Sequence, residues 1–586
     1  MRRVRSALAA LPPGAVVGAL AAAAILAPVL GRGYVLTYDM VFVPEPPLTR
    51  GMLGLDPGVA RAVPSDLVVA VLSRLVPTDV VQKLLLVGTF VAAGWGSGRL
   101  VGSGRAAASA AAAFYCWNAF VYERLVIGHW ALLIGYAALP WVVLAARRVA
   151  AGEAGGWPRT VVAVGVAALG SPTGGLLAAV VAVAVVGWPR AVGARTAAVR
   201  AGLAAAAGLA VNLPWLLPSV LRPGGVPADA DGVAAFAARA DTPLGTIGSL
   251  LTLGGVWNAE VAPPGRTALP VVAVTAALIA VAVLGVKRYF AMSAEAVPLA
   301  AVSLLLLVVA AAGAVPGLRG IARQVVVAVP GGGIIRDGQK FVMPLALVLA
   351  VGFGLAVETL RLRVRDAEAR PLLAAVAVLA PVAVLPALGW GAAGRLRTAH
   401  YPAEWYDVRS VLDRAPEAGG LVVLPWNALY QPFDWNSGRP VLDPAQRWFD
   451  RSTLVDDDLT VDDRVVAGED PRADAVDAAV AAGAPLEPVL AAVGVRFAVV
   501  HQWRQAPAGQ QLTAADRVYD GAQLDLYRLR QPAGESPDGP PVGPVVVGDA
   551  VAGALLLWGI AAIAGGGRRQ PANLAERRSE RSEGEL

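Results

Sequence analysis

The feature that most constrains this chain is a succession of apolar stretches, each near the length that a lipid bilayer demands. A transmembrane helix needs about 20 mostly apolar residues. Stretches at 15–30, 80–95, 106–121, 130–146, 201–220, 268–286, 297–314, 342–360, 372–390 and 545–564 fit that description. Residues 160–188 form one more apolar stretch, broken by Gly170-Ser171-Pro172-Thr173-Gly174-Gly175. Composition agrees: 56 % of residues are hydrophobic and 16 % charged, where a soluble domain carries about a quarter charged.

The arginines set an expected topology, because cytoplasmic loops collect the Lys/Arg excess. With the N-terminus inside, the inner loops hold Arg99 and Arg105, then Arg147, Arg148 and Arg159, then Arg190, Arg195 and Arg200. Lys287 and Arg288, the run Arg361 to Arg370, and Arg568 and Arg569 complete the set. The pattern works only if 160–188 enters and returns on one side, as two short helices with a Ser-Pro turn. Irregular backbone at that depth must face protein or a wet cavity. The net charge of +6 belongs to this topology and does not imply nucleic acid. The single cysteine, Cys116, excludes disulfides and cysteine-based metal clusters.

The expected fold is a polytopic α-helical membrane protein with about ten full spans plus a short helical hairpin, carrying a C-terminal extracytoplasmic α/β domain. The expected divisions are a membrane domain over 1–390, the α/β domain over 391–544, a final span over 545–564 and a disordered cytoplasmic tail over 565–586. Helix Ser65 to Leu75 is expected at the membrane interface. Within 391–544 the spacing predicts helices at 404–414 and 486–493, strands at 420–426 and 495–501, and a hairpin over 517–529. The expected location is the bacterial plasma membrane, multi-pass, with both termini cytoplasmic.

Three clusters carry ionisable residues at the outer membrane surface. Asp39, followed by Glu45, lies just after the first stretch among apolar neighbours. An acid there suits a general base toward a hydroxyl, or equally a capping or ion-paired residue. Glu123 and Arg124 end one span and His129 begins the next. Ionisable groups this close to the membrane core tend to be functional, the alternative being a Glu–Arg pair within an aromatic belt. Arg336 and Lys340 are cations on the side that the charge rule disfavours, and both suit phosphate binding. The acidic set Asp456, Asp457, Asp458, Asp462 and Asp463 invites a divalent cation, but it lacks the Gly and terminal Glu of an EF-hand loop and reads as a solvated loop. Trp426, Trp435, Trp448 and Trp503 are open to sugar stacking or core packing, and His501 reads as structural.

The layout resembles the GT-C class of membrane glycosyltransferases. Asp39 matches the acidic residue those enzymes carry after the first span. Arg336-Asp337-Gly338-Gln339-Lys340-Phe341 looks like the Arg-(Glu/Asp)-x-x-Lys-Phe element of large bacterial GT-C-like proteins, the YfhO-like and actinobacterial arabinofuranosyltransferase-like groups among them. The resemblance implies transfer of a sugar from a polyprenyl-phosphate donor to an envelope glycan or glycolipid acceptor outside the cytoplasm. Arg336 and Lys340 would hold the phosphate, with Arg124 and His129 nearby, and Asp39 would be the base with Glu123 or Glu45 in reserve. A lipid or glycolipid transporter, or a non-catalytic envelope-assembly protein, would use the same architecture.

Overall fold

The computed structural model describes residues 11–566, apart from 59–60, 103, 189–192, 226–228, 330, 428, 463, 503–509 and 511. Arg190, Asp463, Trp503, Arg568, Arg569 and the 567–586 tail thus lie outside the described residues.

Among the described residues six helices are long and apolar enough to cross a membrane: Thr78–Leu100, Trp130–Ala150, Ala194–Val220, Leu269–Met292, Gly338–Arg363 and Val542–Gly566. Two bent pairs, Ala296–Ala311 with Pro316–Ala328 at 91° and Ala369–Val384 with Pro386–Gly394 at 74°, bring the count to eight if each is one span. Not all of the ten expected full spans are thus matched by a helix of spanning length among the described residues. Stretch 15–30 is a 14-residue helix, Pro13–Leu26, closed by a single tighter turn. Stretch 106–121 is interrupted at Asn118. Its amide nitrogen donates to the carbonyls of Phe114 and Tyr115, each at 3.0 Å, and ends the Arg105–Cys116 helix. Its Oδ1 accepts from the Val121 amide and starts the Ala119–Val126 helix. Asparagine competes with helical hydrogen bonds in this way, and a count of apolar residues cannot register it.

Residues 160–188 do form two short helices, Gly156–Gly170 and Pro172–Val186. Ser171 caps the second by accepting from the Gly174 amide at 3.0 Å, and Pro172 at its first position stops the first from continuing. At the centre of the bundle lies Met343–Arg363, whose residues from Met343 to Val357 are all buried. It lies against Leu269–Met292 at Gly285, where an added Cβ would come within 1.8 Å of the Gly352 carbonyl oxygen. Only glycine permits that approach.

The C-terminal sheet has five strands: β1 (Gly420–Leu424), β2 (Thr453–Leu454), β3 (Val495–His501), β4 (Ala515–Asp520) and β5 (Leu524–Leu529), in the order β4-β5-β3-β1-β2. The β4–β5 hairpin and the β5–β3 pair are antiparallel, while β3–β1 and β1–β2 are parallel. Strand side chains alternate between faces. Leu421 and Val423 accordingly join one core with Trp405, Trp448 and Phe433, and Val422 and Leu424 join a second with Val476, Leu486 and Leu490. Trp448 is fully buried in the first core, Trp435 stacks on Phe433, and the Trp426 indole donates to Asp477, so these three have packing partners. His501 shares a buried 2.6 Å contact with Asp443, as a structural residue would.

The loop that follows the first helix stitches the two parts together. Tyr34 and Val35 pair with Ala399 and Thr398, and the Tyr38 amide donates to Pro440 at 2.6 Å. Residues Ser65–Leu72 form a short helix in this loop.

Candidate active site

The site begins with a tight turn. The Met40 amide donates to the Thr37 carbonyl at 2.8 Å, and Tyr38 between them has a φ of 41°. This turn is anchored to the end of the Ala119–Val126 helix: Thr37 Oγ1 donates to the Val126 carbonyl and the Asp39 amide to that of Ile127. Gly128 allows the contact. Its φ is 84°, and a Cβ there would lie 2.3 Å from the Thr37 oxygen. The chain then delivers His129 directly beneath Asp39.

A continuous polar network follows. His129 Nε2 lies 2.9 Å from Asp39 Oδ2, and the Tyr430 hydroxyl donates to Asp39 Oδ1 at 2.7 Å. His129 Nδ1 lies 2.9 Å from Arg124. Arg124 holds Asp337 through two bonds of 2.6 and 2.8 Å, and its Nε donates to Gln339 Oε1 at 2.8 Å. The Gln339 amide nitrogen reaches Glu123 at 2.8 Å, and Lys340 lies 3.4 Å from Asp337.

The protonation pattern follows from donor inventory. A guanidinium only donates, so His129 Nδ1 must accept. Nε2 therefore carries the hydrogen of a neutral imidazole and gives it to Asp39. Burial, with the Arg124 and Lys340 charges, pushes the imidazole below its usual range against the pull of Asp39. Burial alone would push the Asp39 carboxyl up. Hydrogen bonds from His129 and Tyr430, with the Lys340 charge, outweigh it and hold the carboxyl below its ordinary value. Asp39 is thus an anion with both oxygens occupied by donors.

Accessibility separates the members. The Arg124 side chain is fully buried, and those of Asp337 and His129 are 10 % and 14 % exposed. Asp39 is 35 % exposed, so it is the acid of this network that an incoming hydroxyl can reach. Glu123 is fully buried. Glu45 is an exposed residue whose carbonyl accepts from Arg409 at 3.4 Å, and no hydrogen bond or ion pair among the described residues joins it to the network.

The expected cation pair separates as well. Arg336 is bound to Glu469 and sits 5.8 Å from the Phe236 ring, so its charge is already answered. Lys340, 24 % exposed, remains beside the Asp39 network. Sequence reasoning missed Tyr430, Gln339 and Arg61. Arg61 lies 3.5 Å from both Asp457 and Glu469 and within electrostatic reach of Asp39. None of these three has a local signal; each matters only through a distant partner.

Asp457 accepts from the Glu469 amide, and Asp458 from that of Gly468. The acidic run therefore organises its own loop. Burial pushes Asp456 to about 7 and Asp457 to about 6. Among the described residues no three His, Cys, Asp or Glu side chains group as a metal site would require.

Removing the imidazole should free Asp39 toward its buried tendency. A hydrogen bond to a charged group contributes about 1.5–3 kcal/mol. In His129→Ala the Asp39 titration is thus expected to rise by about one to two pH units. Infrared titration of the carboxylate band, differenced against Asp39→Asn, reads this directly, and an unmoved midpoint would refute the assigned hydrogen bond.

No family model matches the chain, and no curated protein sequence matches it. Solved structures do. The cryo-EM structure of the arabinofuranosyltransferase AftD from Mycobacteria aligns with a TM-score of 0.55 at 17 % identity, covering 89 % of this chain and 40 % of that one. Two structures of a mutant form of that protein align at TM-scores of 0.54 and 0.51, again at 17 % identity and over 89 % of this chain. The chain thus spans about two fifths of the neighbour's length. Its fold is similar to that of these arabinofuranosyltransferase structures.

Proposed function

We propose that the chain is a membrane glycosyltransferase that moves a sugar from a polyprenyl-phosphate donor to a cell-envelope acceptor. One observation carries the reading: the accessible Asp39 carboxylate, with both oxygens oriented by His129 and Tyr430, stands beside Lys340 where the helical bundle meets the sheet domain. On this reading residues 391–544 lie on the extracytoplasmic face of a bacterial plasma membrane, and both termini are cytoplasmic.

The reaction balances without a further reactant. The acceptor oxygen attacks the anomeric carbon, the bond from that carbon to the phosphate oxygen breaks, and the lipid phosphate leaves with the electron pair. The acceptor's proton passes to Asp39. A carboxylate of low basicity is adequate, because the hydroxyl becomes strongly acidic only as its new bond forms. Lys340 would face the charge growing on the phosphate, where a preplaced cation needs no reorganisation. With Arg336 committed to Glu469, Lys340 is the first candidate for that role and Arg61 the second.

The test uses the full chain in lipid nanodiscs with a radiolabelled polyprenyl-phosphate sugar and an envelope-derived glycan acceptor. Label is expected to move to the acceptor with equal release of polyprenyl phosphate. Vectorial movement of intact donor with no covalent product would overturn the reading in favour of a transporter.

A further inference from the structure

The Asp39 network occupies one pole of the bundle, and a second site occupies the opposite pole. The Thr78–Leu100 and Trp130–Ala150 helices both start beside the loop that follows the first helix, where Lys83 and His129 bind Gly33 and Asp39. Their far ends carry Arg99, Arg147 and Arg148. These arginines, with Arg159, line the rim of a cavity of about 560 Å³ whose remaining walls are mainly apolar side chains of the same helices, and the final helix contributes Ile563.

The rim carries more positive charge than it neutralises. Arg147 pairs with Glu295 at 3.2 Å and Arg148 with Glu153 at 3.3 Å. Arg159 donates to the Gly155 carbonyl at 2.9 Å, and Arg99 lies 5.9 Å from the Trp141 ring. Neither Arg99 nor Arg159 has an ion pair among the described residues, which leaves an excess of two positive charges above an apolar recess. Guanidinium groups suit phosphate oxygens, and basic pockets between membrane helices suit anionic headgroups.

We infer that this cavity binds an anionic glycerophospholipid of the leaflet opposite the sheet domain, its phosphate on Arg99 and Arg159 and an acyl chain in the recess. Charge complementarity selects the headgroup, and the apolar depth selects a lipid over a free anion. The bound lipid would also bridge the final helix to the bundle, since Ile563 forms part of the wall. The site is separate from the proposed catalytic one, so its failure leaves that reading intact.

Two variants probe the two halves. Arg99→Gln with Arg159→Gln removes the unpaired charge. Gly88→Leu fills the recess without strain, because nothing lies within 4 Å of a Cβ built there. Full-length protein is exchanged into nanodiscs of phosphatidylcholine doped with phosphatidylglycerol, and retained lipid is measured by native mass spectrometry after release into detergent. The parental chain is expected to enrich phosphatidylglycerol about tenfold over its bilayer fraction, and each variant to lose that enrichment. Equal retention of the two lipids, enrichment that survives Gly88→Leu, or displacement of the lipid by millimolar inorganic phosphate would each overturn the inference. If the arginine variant does not fold, Gly88→Leu decides alone.

Discussion

Asparagine at position 39 is expected to lower sugar transfer by about 10²–10⁴-fold, the usual contribution of a positioned general base, while donor binding stays near the parental level. The substitution is well suited to the site. An asparagine can turn Oδ1 to the His129 Nε2 hydrogen and its amide to the Tyr430 oxygen, because a hydroxyl can accept as readily as donate. Both hydrogen bonds recorded for Asp39 then survive in number, and only the proton acceptor is lost. Single-turnover transfer and donor affinity, measured on the same preparation, separate the outcomes. A parental transfer rate would remove Asp39 from the chemistry.

The second large effect is structural. Arg124→Ala should destabilise the protein by about 3–5 kcal/mol, because truncating one member of a buried ion pair leaves the other uncompensated. Arg124 is fully buried and bonds Asp337, Gln339 and His129 together. Lysine would not substitute, since it lacks the planar fork that meets both Asp337 oxygens. A thermal melt in detergent measures the loss. The double change Arg124→Met with Asp337→Leu should recover part of it, because an apolar pair leaves no orphaned charge.

The pH dependence separates these cases. Burial would push the Asp337 carboxyl up, but Arg124 and Lys340 hold it far below its ordinary value. The folded state therefore keeps this carboxylate ionised more strongly than the unfolded chain does. Its contribution is complete above the ordinary carboxylate range and is lost progressively as pH falls from there through the depressed folded value. In Arg124→Ala the balance moves the other way. Burial favours the protonated acid, so the deficit should narrow as the solution is acidified.

The parts of this fold that depend on local pattern were legible in the sequence. Strand β3 runs over the expected residues 495–501, and the broken stretch 160–188 resolves into two helices at Ser171. Both signals are carried by neighbouring residues. The continuity of each stretch was less legible, because a helix break needs only one side chain: Asn118 turns the backbone inside a run whose apolar content alone reads as one helix.

The site divides along the same line. Asp39, Glu123, Arg124, His129 and Lys340 attract notice as ionisable residues beside apolar stretches, and the structure brings them together. Their partners could not be read. Arg124 and Asp337 are 213 residues apart in sequence and Asp39 and Tyr430 are 391 apart, so the tertiary fold alone decides these pairs. Arg336 drew attention as a cation on the disfavoured side, yet such a rule counts charges without their partners, and Glu469 lies in the distant sheet domain. Glu45 shares a loop with Asp39 but not its contacts: Asp39 is held by His129 and Tyr430, while Glu45 is exposed on a left-handed turn of backbone.

The most direct test is to ask where a donor lodges. A polyprenyl-phosphate sugar carrying a photoreactive group on the sugar, irradiated with the full chain in nanodiscs and mapped by peptide mass spectrometry, is predicted to label peptides containing Asp39 and Lys340. Labelling confined to the Arg99 and Arg159 pole, with unlabelled donor failing to protect the Asp39 peptide, would contradict the assignment.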